Sequence, residues 1–286
     1  MPNEHPNDSR PHFVIPYWIS TGPTVPGDDG DTRPLPSNVT WYLCPSINAS
    51  AYRPGERLEV SVTVGNHGGA NTPSIAQVTV WWAEPSTGFV VGPDKVIGYT
   101  TVPVDPRGGL ATTAVMSKTI PSTAPDHICL LARVSHQYDR AGITVDPVND
   151  RHWAQRNLAA VTAQPGVPLV FPFLIGNPLA EEDEFVVFAE PASEERFRAL
   201  GEALAAEPVM FEARVLLSEG DEGGGEVDGR EGLSVRLEPG EQRRVTVNVE
   251  LFSEVGPGQV AVVEVSQRRE RLEETVGGIA LVITGG

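Results

Sequence analysis

The sequence predicts an all-β protein: two antiparallel β-sandwiches in tandem, with an extended N-terminal arm and one short helix in the second half. Three observations lead there. Glycine and proline supply 29 and 26 of the 286 residues, a density of turn formers that favours short strands over long helices. Apolar and polar residues alternate in short runs between these turns, the pattern of half-buried strands. Finally, a segment of the first half recurs in the second at a constant spacing. With 40% hydrophobic residues the chain has enough apolar material to build a core.

Residues 1–40 are the arm. Eight prolines surround one apolar patch containing Phe13, Val14, Ile15, Tyr17, Trp18 and Ile19. Prolines this dense remove the amide donors that a sheet requires and favour an extended chain. The patch either folds back on its own sandwich or docks on a partner or a second copy. These six residues are therefore the first candidate partner contacts.

Residues 41–163 are the first sandwich. Pro54 and Gly55 open a strand in which Val60, Val62 and Val64 alternate with polar residues before Gly65 and Asn66 turn the chain. Further on, Val78 and Val80 define a buried face that places Trp82 inward and Trp81 outward. An outward Trp81 is either a sugar-stacking platform or a ring covered by the arm, and it joins the candidate contacts. The turn at Asp105, Pro106, Gly108 and Gly109, and the apolar runs 128–134 and 158–161, complete this half.

Residues 164–286 are the second sandwich. Pro165, Gly166, Leu169, Gly176 and Asn177 repeat Pro54, Gly55, Leu58, Gly65 and Asn66 at an offset of 111, and Phe171, Phe173 and Ile175 replace the three valines. Glu238, Pro239 and Gly240 echo the turn near Pro106, residues 260–265 echo 128–134, and a short apolar run at 279–283 closes the chain. Between these strands, residues 193–204 place Phe197, Leu200 and Leu204 on one helical face, with Ser193 as N-cap and Pro208 beyond the end. Residues 218–231 are acidic and glycine-rich, which predicts a hairpin tip. Only Gln164, Pro165 and Gly166 separate the two halves, too few for a free tether.

The charge narrows the function. The chain holds 21 Lys and Arg against 38 Asp and Glu, a net charge of −17. Residues 1–163 carry 11 basic and 14 acidic side chains, whereas 164–286 carry 10 and 24. Acidity on this scale repels phosphate backbones and argues against nucleic-acid binding. Every His, Cys, Lys, Tyr and Trp lies in the first part, so the second lacks the usual bases and activated nucleophiles. His127 and Cys129 share one strand face, but no third group orients them as a nucleophilic pair. The aspartates at 28, 29 and 31 and those at 221 and 228 lack the ligand spacing of a calcium loop, and His152 has no zinc-ligand partner at motif spacing. The expectation is no catalytic residue, no cofactor and no metal.

Other features set the setting. The first residues lack the basic start and apolar run of a secretory signal, and no apolar stretch reaches the ~20 residues of a membrane span. A cytoplasmic protein, or one exported by a non-classical route, is expected. Cys44 and Cys129 are too few for a disulfide scaffold and are expected as buried thiols.

The motifs of residues 41–163 resemble bacterial immunoglobulin-like domains of the cell-adhesion-related (CARDB) type. The resemblance rests on Pro54 and Gly55 before an alternating strand ending in Gly65, Asn66, His67 and Gly68. It rests also on Pro106 to Gly109, on the stretch from His127 to Arg133, and on the run from Asp150 to Asn157 before the last strand. The second half shares the layout with weaker motifs. Membership implies a seven-stranded immunoglobulin-like sandwich used as an adhesive, spacer or assembly module, without catalytic residues. Asn66 and Asn157 are read as structural turn residues, because an Asn side chain bonds nearby backbone. The function expected is a non-enzymatic structural or assembly protein that binds a protein partner or itself. The alternative is a carbohydrate or cell-surface binding module using exposed aromatics.

Overall fold

The computed structural model describes residues 8–20, 26–158, 160–162, 167–220, 225–272 and 274–285. The junction at 163–166 and the tip of the acidic loop at 221–224 lie outside the described residues. The protein is all-β, with several antiparallel sheets. The chain divides into two compact units, one made of Met1–Ala83 and Val91–Leu158, the other of Glu84–Val90 and Ala159–Gly286. No helix among the described residues is long and apolar enough to cross a membrane.

The first unit begins with β1 (Phe13–Val14), β2 (Ile47–Ala49), β3 (Arg57–Asn66) and β4 (Ser74–Ala83). It continues with β5 (Val96–Val104), β6 (Gly109–Thr112), β7 (Met116–Thr119), β8 (Ile128–Ser135) and β9 (Trp153–Leu158). One sheet gathers β1, β2, β6 and β7 on β3, and the other runs β5-β4-β8-β9, all antiparallel. In β3 the residues Leu58, Val60, Val62 and Val64 are buried while Glu59 is exposed, so the period-2 pattern sets the core face. Val78, Val80, Leu130, Ala132 and Val134 bury their side chains in the second sheet.

The second unit contains β10 (Ala160–Thr162), β11 (Leu169–Gly176), β12 (Asp183–Pro191), α1 (Phe197–Leu204) and β13 (Glu207–Pro208). Then follow β14 (Ala213–Glu219), β15 (Val227–Asp228), β16 (Leu233–Leu237), β17 (Gln242–Leu251), β18 (Gln259–Arg269) and β19 (Glu274–Thr284). Its sheets run β11-β17-β14-β15 and β10-β19-β18-β12-β16, with β13 alongside β18. The segment β16-β12-β18-β19 has the chain order of β5-β4-β8-β9. Phe171, Phe173 and Ile175 of β11 are buried in alternation, as their spacing predicts. A buried polar chain crosses this unit: Thr87 Oγ1 donates to Gln267 Oε1 (2.7 Å), and Gln267 Nε2 donates to the Gly176 carbonyl (2.8 Å).

The helix begins differently from its sequence signal. Ser193 makes no side-chain cap; a 3₁₀ turn at Glu194–Arg196 comes first, and α1 starts at Phe197. Leu200 is fully buried and Ala205 ends the helix in the left-handed region. Arg196 pairs with Glu264 of β18 at 2.9 Å, tying the helix start to the sheet.

Candidate functional site

The arm belongs to the fold. β1 pairs with β3 through Phe13 with Asn66 and Val14 with Gly65. Phe13, Val14 and Ile15 have no exposed surface and Tyr17 is buried, whereas Trp18 is half-buried and Ile19 exposed. Tyr17 Oη donates to the Trp41 carbonyl and accepts the Gln155 amide at 3.1 Å. The expected partner contacts Phe13, Val14, Ile15 and Tyr17 are thus core residues of their own unit. Pro11 and Pro16 lie outside the Phe13–Val14 pairing, so neither removes an amide from β1.

Trp81 is also corrected. It is buried like Trp82, because side chains of its own sheet, Trp153 of β9 and Arg133 of β8, cover the face it points to. Its ring packs on Trp153, with centroids 5.5 Å apart, and the Arg133 guanidinium lies 5.3 Å from its centre. No sugar platform is left at this position.

The densest polar cluster lies against the arm. Asp139 sits in the turn after β8, and Asp150, Arg151 and His152 sit in the turn before β9. His152 Nδ1 lies 2.6 Å from Asp150 Oδ1, and its Nε2 lies 3.1 Å from Asp139 Oδ1, off the hydrogen-bonding direction. Arg151 Nη2 bonds the same Asp139 oxygen. Both residues then hold the arm: the Phe13 amide donates to Asp139 Oδ2 (2.6 Å), and Arg151 Nε donates to the Phe13 carbonyl (3.1 Å). Burial opposes charging His152, but the contacts with Asp139 and Asp150 outweigh it and raise its pKa above the ordinary value. Burial likewise opposes charging Asp139 and Asp150, but His152, backbone amides and, for Asp139, Arg151 together outweigh it, so both carboxyls are held below their ordinary value. The cluster is a charged clamp on backbone. Sequence reading missed it because its members meet only after two turns close.

The asparagines are braces. Asn66 is fully buried; its Oδ1 accepts the amides of His12 (3.1 Å) and Gly68 (3.0 Å), and its Nδ2 donates to the Val104 carbonyl (3.3 Å). Asn157 lies within β9 rather than in a turn, and its Oδ1 accepts from Cys129 Sγ (3.2 Å) and Gln155 Nε2 (3.0 Å). Its position follows from strand pairing with Cys129, which faces it across β8 and β9. Cys129 therefore meets an amide oxygen, while burial lowers the pKa of half-buried His127.

The remaining candidates are similarly engaged. Cys44 and Cys129 are buried free thiols. Burial pushes the Cys44 thiol up to about 12, and its Sγ points to the Pro16 carbonyl at 3.6 Å. Asp28 is buried, and Arg33 grips both its carboxylate oxygens at 3.0 Å, so a guanidinium stands where a cation would bind. Among the described residues, no three His, Cys, Asp or Glu side chains gather at metal-binding spacing. The surface of the described residues includes an open depression of about 230 Å³ beside Arg10 and Tyr138 and another of about 240 Å³ beside Arg214 and Phe252.

Comparison with known proteins adds little. No family model matches the chain, and no curated protein matches it. Among solved structures, a calcium-binding mutant of Bacteroides uniformis β-glucuronidase 2 is 12% identical at a TM-score of 0.28, covering 83% of this chain and 28% of that one. The chain thus spans little more than a quarter of that enzyme's length. The CupB6 tip adhesin from Pseudomonas aeruginosa is 10% identical at a TM-score of 0.24, covering 83% and 92% of the two chains. A collagen adhesin from S. aureus is 8% identical at 0.24, covering 84% and 91%. Likenesses this weak carry no argument about function.

Proposed function

We propose that this chain is a non-enzymatic structural or assembly protein, two tandem immunoglobulin-like sandwiches of the cell-adhesion-related type that present surfaces to a protein partner or a second copy. One observation carries the reading. The conspicuous polar side chains Asn66, Asn157, Cys129, Asp139 and His152 each engage backbone or neighbouring side chains. What remains available is the edge and face of the sheets. β5 and β16 each end a sheet, and strand edges recruit partners through backbone groups that leave no motif. The carbohydrate alternative relied on an outward Trp81, and that ring is covered by Trp153 and Arg133.

The test is capture of partners by the tagged chain from its native cells, identified by mass spectrometry, alongside light scattering over a concentration series. The expected result is a defined protein partner or concentration-dependent self-association. A chain that stays monomeric throughout and enriches nothing overturns the reading.

A further inference from the structure

We infer that a groove in the second unit binds an extended acidic peptide segment; the inference rests on the interaction reading above and names its surface. The groove arises where two strands outrun their neighbours. β12 extends to Pro191 along β18, but its pairing with β16 stops at Val187. β14 pairs with β17 from Ala213 onward, but its pairing with β15 is confined to Leu216 and Leu217. Gly229 spans the gap at one end, donating its amide to the Val215 carbonyl (3.0 Å) and accepting the Ala189 amide (2.9 Å). A Cβ on Gly229 would meet the Ala189 carbonyl at 2.1 Å, so only glycine permits this crossing.

Beyond Gly229 the two strand edges diverge into a depression of about 240 Å³. Val215 points its carbonyl toward this side, and Ala213, two residues earlier, points its backbone the same way. No strand pairs with Ala213 on this side among the described residues. An extended segment laid there gains main-chain bonds of the kind that strand addition uses.

The lining says what that segment carries. Pro191, Val215 and Phe252 give an apolar floor, and Phe252 is 62% exposed, unusual for a phenylalanine. Arg214 and Arg230 flank it with exposed guanidiniums. The one lining carboxylate, Asp228, is turned back on its own loop, where its Oδ1 accepts the Arg230 amide at 2.9 Å. In a half of the chain with 24 acidic against 10 basic residues, the groove lining itself holds two arginines against one aspartate, with Glu250 opposite Arg214 across β14 and β17. Guanidiniums of this kind match carboxylates, and the apolar floor matches the alternate side chains of a strand.

The experiment is fluorescence anisotropy of the full chain with a labelled hexapeptide of alternating glutamate and valine, and with its lysine-for-glutamate counterpart. The acidic peptide is expected to bind, to weaken as salt is raised, and to lose at least about tenfold in affinity with Arg214→Ala plus Arg230→Ala. Phe252→Ala is expected to weaken it separately; all three side chains are exposed, so the folded state is retained. Failure of the acidic peptide to bind, equal binding of both peptides, or wild-type affinity in the double variant overturns the groove. Native capture that persists in the double variant beside such a failure leaves the broader interaction reading standing. Peptide binding in a chain that captures nothing supports the groove and overturns that broader reading.

Discussion

Asn66 and Asn177, separated by 111 positions, share three hydrogen bonds of one pattern in their respective units. Each is fully buried. Each accepts at Oδ1 the amide two residues on, Gly68 at 3.0 Å and Leu179 at 2.9 Å. Each donates through Nδ2 to the carbonyl that precedes a proline-containing turn, Val104 at 3.3 Å and Leu237 at 2.9 Å. Each gives its own carbonyl to a glycine of that turn, Gly108 or Gly240, and both glycines have the positive φ that favours their type. The amides of Gly68 and Leu179 are therefore expected among the slowly exchanging ones. Asn66→Ala should speed exchange at Gly68, and Asn177→Ala should do the same at Leu179, as read by hydrogen-exchange NMR.

The buried residues of the arm contribute stability. Fully burying an apolar side chain is worth roughly 1.5–3 kcal/mol, and Phe13, Val14 and Ile15 are all fully buried. Their combined removal approaches the ~5–15 kcal/mol that holds a whole domain together. Phe13→Ala is expected to cost about 3–5 kcal/mol in urea denaturation. A truncation of residues 1–20 should unfold the first unit, as read by near-ultraviolet circular dichroism.

The Asp139, Asp150 and His152 cluster makes stability depend on pH in both directions. Because the folded state raises the His152 pKa, its contribution is full below the unfolded value of ~6.5 and fades as pH rises through the folded value. Because both aspartates are depressed, theirs is full above ~3.9 and fades as pH falls through their folded values. Thermal melts across a pH series should show the clamp strongest in the mildly acidic range. His152→Gln should lose the alkaline-side decline and, by stripping a charged partner from the buried Asp139, cost about 3–5 kcal/mol in the mildly acidic range.

Cys44 is expected to be unreactive in the native protein. Its burial and its pKa of about 12 keep it a thiol at neutral pH. Iodoacetamide followed by peptide mass spectrometry should leave Cys44 unmodified until denaturant is added, when it should label fully.

The strands were legible where one face meets the core. Val60, Val62 and Val64, and their counterparts Phe171, Phe173 and Ile175, show the period of two because each lies in a half-buried strand. The brace at Asn66 was legible too, since an amide beside a Gly turn bonds locally. The burial of Trp81 was not, because the ring and guanidinium that cover its face, Trp153 and Arg133, come from strands far along the chain. Neither was the clamp, whose aspartates and histidine come from two turns, nor the groove, which depends on where β12 and β14 outlast their neighbours. The clamp depends on two turns closing on each other and the groove on pairing length, and alternation alone encodes neither.

The central claim is that the conspicuous polar residues hold the fold and leave binding to the surface. It is tested most directly by measuring urea stability and native partner capture side by side for Asn66→Ala. Three hydrogen bonds are lost and buried backbone groups are left unpaired, at roughly 1–3 kcal/mol each. The account predicts a lower denaturation midpoint with capture unchanged under conditions where the variant is folded. An unchanged midpoint with capture abolished would contradict it.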